Sequence, residues 1–429
     1  MGDRNRRAKR PSCSLEGGVV TTLSAIDAFF VAYQESSGVL MQLGVEVELK
    51  GRIARDDVRR MLSHLVKRWP PLGQRLRRGW VGLSWEGKPQ ISEMLREAEN
   101  RDGVAQWRNR PINPFREPPF QLLWIANDDV NLFAFRAHHA VVDGEAFFEV
   151  CVEAVRALAG AGTTDNADLK NGFTRAVNVT DALQKVQELR RQAQTDKSAR
   201  IAVRSTAAGP IAIVERDLAR EQLNGWLCAG AWMKAIHAWN RSRDPMTTSL
   251  ISLEVPVSLR RRRDHHLGIG NQISPLVLYG DATQPLEDLA QQLKQQLSAA
   301  MRQRTHLALP SLSAPAKFLP WEVFRRIAAS PELTGFATSH FAWFEHAQTI
   351  HDEVSRASNG VLQIVDQQIY TPVCLHMGAA VAALAWPERA QLFLTHRLNA
   401  LSTNDANVLL DFMVRELDAP HLSRQQVAV

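Results

Sequence analysis

The chain has 429 residues, 45% of them hydrophobic, and 51 Lys plus Arg against 45 Asp plus Glu give a formal charge of +6 and a pI near 9.3. That length exceeds the roughly 250 to 300 residues at which a single core stops growing, so two lobes are expected, and the mild basic excess suits an anionic ligand without demanding nucleic acid. The four cysteines, Cys13, Cys151, Cys228 and Cys374, lack CxxC spacing, which argues against a disulfide framework and a zinc site and fits a reducing cytoplasm.

Residues 1–18 open with a basic run, but Pro11-Ser12-Cys13-Ser14 follows instead of an apolar stretch; a disordered tail is expected, not a secretory signal. Ser24 with Asp27 three residues on marks a helix start. Apolar residues alternate from Val39 through Met41, Leu43, Val45 and Val47 to Leu49, the pattern of a strand with one buried face. Val58, Met61, Leu62, Leu65, Val66 and Trp69 then form one helical stripe that stops at Pro70-Pro71. Two apolar strands, near Gln121 to Ala126 and Leu132 to Ala137, flank a polar turn. After Gly144, the spacing of Phe147, Val150, Cys151, Ala154 and Leu158 predicts a helix up to Gly160.

The composition then turns rich in Gly, Thr, Asn and Asp, and a polar helix from about Asp181 to Arg200 reads as a surface crossover. The expected division is an N-terminal lobe over 19–172, a crossover over 173–204 and a C-terminal lobe over 205–429. Within the latter, strands are predicted near Ala212 to Glu215, Leu250 to Val257, Ile273 to Tyr279 and Gln391 to His396. Helices are predicted near Trp232 to Asn240, Leu286 to Arg302 and Asn404 to Leu417. The span Ile369 to Pro387, free of Asp, Glu, Lys and Arg, is broken by Thr371, Pro372, His376 and Gly378, so no transmembrane segment is expected. The eleven tryptophans are scattered and read as core and channel wall.

The segment His138-His139-Ala140-Val141-Val142-Asp143-Gly144 sits where the second apolar strand ends and a helix begins. Neighbours on a strand point to opposite faces, so one histidine faces a site and the other packs inside, and the two do not converge on one metal ion. A neutral imidazole at the mouth of a cleft can accept the proton of an attacking hydroxyl or amine. Asp143 either binds an arginine or caps local amides, and Asp143 with Gly144 is read as the turn into the helix. Cys151 lies on the helical stripe and reads as a core thiol, not a nucleophile.

The segment resembles the HHxxxDG signature of the superfamily typified by chloramphenicol acetyltransferase. That superfamily includes nonribosomal peptide condensation domains, wax ester synthases and polyketide-associated acyltransferases. Leu23 to Phe30, Pro114 to Phe120, Glu254 to Arg260 and Gly270 to Ser274 resemble further stretches of its two halves. The DFGWG signature of the plant branch is absent, and Ala337 to Phe344 occupies the comparable region.

The resemblance implies an α/β fold of two similar lobes, each a mixed sheet with flanking helices, arranged as a V-shaped pseudo-dimer with a channel at the seam. It implies an acyltransferase, with His139 as general base, Asp143 structural and paired with Arg260, His138 and Gly144 as motif residues, and Asn271 and Ser274 lining the channel. No bound cofactor or metal is implied. An acyl-coenzyme A or acyl carrier protein thioester is the co-substrate, a small alcohol or amine the acceptor, in lipid or secondary-metabolite biosynthesis. The chain is expected to be cytoplasmic and monomeric, without nucleic acid, and with peripheral contact to a membrane surface left open. Two other readings stand beside this one. A catalytically silent module would bind a carrier protein or acyl ligand, and a basic nucleic-acid binder would rest on the pI alone.

Overall fold

A computed structural model describes residues 21–80, 82–160, 162, 200–219, 223–260, 269–330, 339–344, 347–386 and 389–418. The basic tail, the polar helix expected from Asp181, Arg261 to Arg263 and His265-His266 lie outside the described residues.

The first sheet is built on β2 (Gln42–Lys50), whose Leu43, Val45, Val47 and Leu49 are all buried, as their alternation predicts. It pairs antiparallel with β7 (Val130–His138), and Gln42 stands opposite His138, which places the histidine motif at the end of the sheet. β7 forms a hairpin with β6 (Phe120–Ile125), and β5 (Leu95–Ala98) joins in parallel. The fifth strand, β12 (Gln363–Tyr370), comes from far beyond residue 205 and runs antiparallel to the outer edge of β2. A strand from the C-terminal half therefore completes the sheet of the N-terminal half. A small three-stranded sheet of β1 (Thr21–Thr22), β4 (Leu83–Glu86) and β3 (Arg75–Arg78) lies beside it.

Helices α1 (Ala25–Ser37), α2 (Arg55–Arg68) and α3 (Gly144–Leu158) pack on this unit. The helix start read at Ser24 is a full capping box: Asp27 N donates to Ser24 Oγ, and Ser24 N donates to Asp27 Oδ2. Gly38, left-handed at φ 72°, ends the helix.

The second sheet has the order β10 (Ile273–Asp281), β9 (Leu250–Ser258), β11 (Ser339–Phe344), β13 (Ala379–Ala385), β14 (Arg389–Arg397) and β8 (Ile211–Ala219). Its residues alternate between two cores. Leu253, Phe341, Val381, Leu392 and Leu394 pack under α4 (Gly225–Arg241), α5 (Leu286–Arg302) and α8 (Thr403–Asp418). On the opposite face Ala382, Leu384 and Phe393 pack into the core of the first unit. This second sheet is thus a shared layer, covered on both faces. Two shorter helices, α6 (Trp321–Ala328) and α7 (Ala347–Ala357), flank the first core.

The sequence reading had no strands at β11, β12 or β13. Ala379 to Ala385 is alanine-rich, a poor strand signal by propensity, and forms a strand because it is buried on both faces, Val381 in one core and Ala382 and Leu384 in the other. The tryptophans also need correction, since Trp80 is 99% exposed at the tip of the β3–β4 hairpin. Among the described residues no helix is long and apolar enough to cross a membrane.

Candidate active site

β7 stops pairing at His138, and the next residues turn into the second half of the molecule. His139 N donates to Met41 O at 2.8 Å, and Gly270 N donates to Val141 O at 2.8 Å. Val142 and Gly270 form an isolated parallel bridge. Asp143 then caps α3, its Oδ1 accepting from Ala146 N at 2.9 Å. The turn into the helix is made by the extended backbone of Asp143 itself, φ −91° and ψ 179°. Gly144 takes the first helical position, where a Cβ would meet only the Phe344 ring, at 3.6 Å. The glycine leaves space beside that ring; no left-handed backbone requires it.

The other oxygen of Asp143 reaches across the seam. Oδ2 accepts from Arg260 Nη1 and from Gln272 N, the latter at 2.9 Å. Arg260 Nη2 also donates to Gly270 O at 3.0 Å. The two charged side chains are 4% and 0% exposed, so the pair is a buried staple between the motif and the β9–β10 connection. Ser258 Oγ adds a bond to Glu145 at 2.6 Å.

His138 is fully buried, and its Nδ1 accepts from Ala140 N at 3.0 Å, which puts the proton of the neutral ring on Nε2. Burial, with His139 beside it, holds its pKa down at about 3. His139 lies flat against Phe30, ring centroids 4.0 Å apart and planes 18° from parallel. Burial also lowers the His139 pKa from the ordinary histidine value, so the ring is free base at neutral pH. Its Nδ1 is buried and makes no well-formed hydrogen bond, although its own carbonyl and the Asn271 side chain lie near enough to oppose the effect of burial on the ring.

Asn271 acts as a clamp. Its Nδ2 donates to His139 O at 2.5 Å and to Asp27 Oδ1 at 2.7 Å, and its own N donates to Asp27 Oδ1 at 2.9 Å. Both amide hydrogens are therefore taken, and none remains for a substrate oxygen. Ser274, 1% exposed, alternates with Leu276 and Leu278, and Leu278 belongs to the second core. That phase puts Ser274 on the helix-covered face, away from the channel wall expected of it. Asp27 was legible only as a helix cap. Its raised pKa, dominated by burial, reflects a carboxyl enclosed between the two halves.

Sequence reasoning also missed the residues facing the motif from β9 and β11. Glu254 and His340 are paired in register, on the face opposite Leu253 and Phe341, with His340 Nδ1 3.8 Å from Glu254 Oε1. Charge on His340 opposes protonation of His139, which places the two rings in one electrostatic environment. Further along β11, Phe344 stacks on Phe148 of α3 at 5.6 Å. Of the thiols, Cys151 is buried with its pKa pushed well up, and Cys374 is pushed up to about 12 by burial, so neither is a poised nucleophile. A cavity of about 450 Å³ lined by Lys234, His237, Thr283, Phe412 and Glu416 lies among α4, α8 and the β10–α5 turn and holds none of the motif residues.

No family profile and no curated protein sequence matches the chain. Solved structures match over nearly its whole length. A doubly substituted starter condensation domain of the rhizomide synthetase RzmA, in complex with C8-CoA, is 15% identical at a TM-score of 0.66, with 94% of this chain and 95% of that one covered. The same domain with C8-CoA and Leu-SNAC gives a TM-score of 0.63 at 14% identity, over 93% and 95% of the two chains. The condensation domain of the Monacolin K polyketide synthase MokA gives 0.59 at 12% identity, over 94% and 99%. The chain has the two-lobed α/β fold of condensation domains.

Proposed function

We propose that this protein is an acyltransferase that moves an acyl group from a pantetheine thioester to an alcohol or amine, with His139 as general base. The observation that carries this reading is the His139 ring itself. It is uncharged, stacked on Phe30 and anchored at its carbonyl by Asn271, at the junction of two halves whose fold is that of domains crystallised with C8-CoA. His139 takes the proton as the acceptor oxygen or nitrogen attacks the thioester carbonyl. The tetrahedral intermediate collapses, the carbon–sulfur bond breaks, and the imidazolium returns the proton to the thiolate. The Asp143–Arg260 staple and the Asn271 clamp act on geometry, holding the turn that presents His139.

One observation favours a second reading, a module that binds a thioester ligand without turning it over. A catalytic base is usually oriented by a well-formed hydrogen bond on its far nitrogen, and Nδ1 of His139 makes none, although its own carbonyl and the Asn271 side chain lie near enough to favour the protonated ring. Stacking on Phe30 supplies the orientation in the first reading. Intact-mass detection of acyl transfer from a panel of acyl-coenzyme A and acyl-carrier thioesters to pooled alcohols and amines separates the two. Wild-type turnover that falls about 10²- to 10⁴-fold in His139→Ala is expected. Equal inertness of both proteins, with thioester binding retained, would favour the silent module.

A further inference from the structure

We propose that the β3–β4 hairpin tip and the outer face of α6 form one docking surface for an anionic lipid bilayer. Trp80, at the tip, is 99% exposed. Two residues earlier, Arg78 reaches α6: its Nη1 lies 3.8 Å from Glu322 and its guanidinium caps the rings of Phe115 and Trp321 at 4.8 and 6.0 Å. The hairpin tip therefore adjoins the start of that helix. α6 needs only Trp321, Phe324 and Ala328 for its buried stripe. Its outward Val323 and Ile327, 46% and 47% exposed, are one helical turn apart, and Phe318 just before the helix is 65% exposed. None of the three belongs to the two large hydrophobic cores.

The charge around them is basic. Arg77, Arg78 and Arg326 are exposed and Arg325 is partly so, while Glu35 and Glu322 both engage Arg78 and Glu322 also engages Arg325.

A protein partner of ordinary stability seats aromatic anchors in a contiguous apolar centre with charges at the rim. Here the exposed apolar side chains, Trp80 at the protruding tip and Phe318, Val323 and Ile327 at and before α6, alternate along the sequence with Arg77, Arg78, Arg325 and Arg326. That interleaving matches the headgroup region, where indole rings sit at the interface and arginines pair with lipid phosphates. The surface goes beyond the acyl-transfer reading and does not depend on it.

The test is co-sedimentation of the full chain with phosphatidylcholine vesicles containing 30% phosphatidylglycerol, against pure phosphatidylcholine. The comparison is with Trp80→Ser, Val323→Ser and Ile327→Ser combined, and separately with Arg77→Glu and Arg326→Glu combined. All five positions are exposed, so the variants are expected to fold, which circular dichroism checks. Expected are binding to the anionic vesicles that high salt weakens, a loss of roughly tenfold or more in the apolar variant, and a loss of about fivefold or more per arginine removed. No sedimentation of the wild type, or equal sedimentation of the apolar variant, would overturn the proposal. So would a carrier protein that binds through these residues while vesicles do not.

Discussion

The buried histidines carry a consequence for stability that residue chemistry alone fixes. Burial holds His138 at about 3 and draws His139, His351 and His396 below their ordinary value. Unfolded, each titrates near 6.5. Below that pH the unfolded chain takes up protons that the folded chain refuses, so stability is full above about 6.5 and declines as pH falls toward the folded values. For His138 the slope is about 1.4 kcal/mol per pH unit. Asp27, Glu46 and Asp366, whose carboxyls burial raises, work in the opposite sense. The thermal midpoint is therefore expected to fall between pH 7.5 and 5.5, and to fall less in His138→Asn. Identical slopes in the two proteins would mean that His138 is solvated or charged in the folded state. At this scale the motif was readable in sequence, because it is contiguous. Phe30 and His340 were not, because nothing in local spacing says which distant ring will lie against His139 or which second histidine will share its electrostatic environment.

Between elements, the decisive contact is the one from the β7–α3 turn to the β9–β10 connection. Arg260 is almost wholly buried and serves Asp143 and Gly270 O together, while Asp143 also holds Gln272 N and the first turn of α3. Removing one partner of such a pair strands the other charge away from water, at about 3 to 5 kcal/mol. Arg260→Met is expected to lower stability by that amount in denaturant titrations, and adding Asp143→Asn to restore a large part of it. An Arg260→Met protein as stable as the wild type would show that the pair is solvated. Helices with a clear cap, such as α1, or a clear apolar stripe, such as α2 and α5, were legible because their signals are local. Of the second sheet, only strands with alternating or β-branched sequence were legible. β13 was hidden by its alanines, and β12 by its polar residues Gln363, Asp366, Gln367 and Gln368, which suit an edge strand exposed on one side.

For the molecule as a whole, two lobes followed from chain length, but the exchange between them did not. β12 crosses to the first sheet, and the seam face of the second sheet contributes Ala382, Leu384 and Phe393 to the first core. Neither half keeps its edges or its core without the other, so the two are expected to unfold as one cooperative body. Gly44 tests this directly. Tyr370 stands opposite Gly44 in the β12–β2 register, and its ring fills the space above the glycine, where an added Cβ would lie 1.9 Å from the ring. The Arg108 guanidinium covers the same ring at 5.5 Å while pairing with Glu46. Gly44→Ala forces that ring out and loosens β12 from β2, at roughly 1 to 3 kcal/mol or more. If the halves are coupled, amide protection falls together in β2, β7, β13 and β14, far from the substitution. Loss of protection confined to residues 363–370 would mean that β12 is a detachable edge and that each half holds itself together.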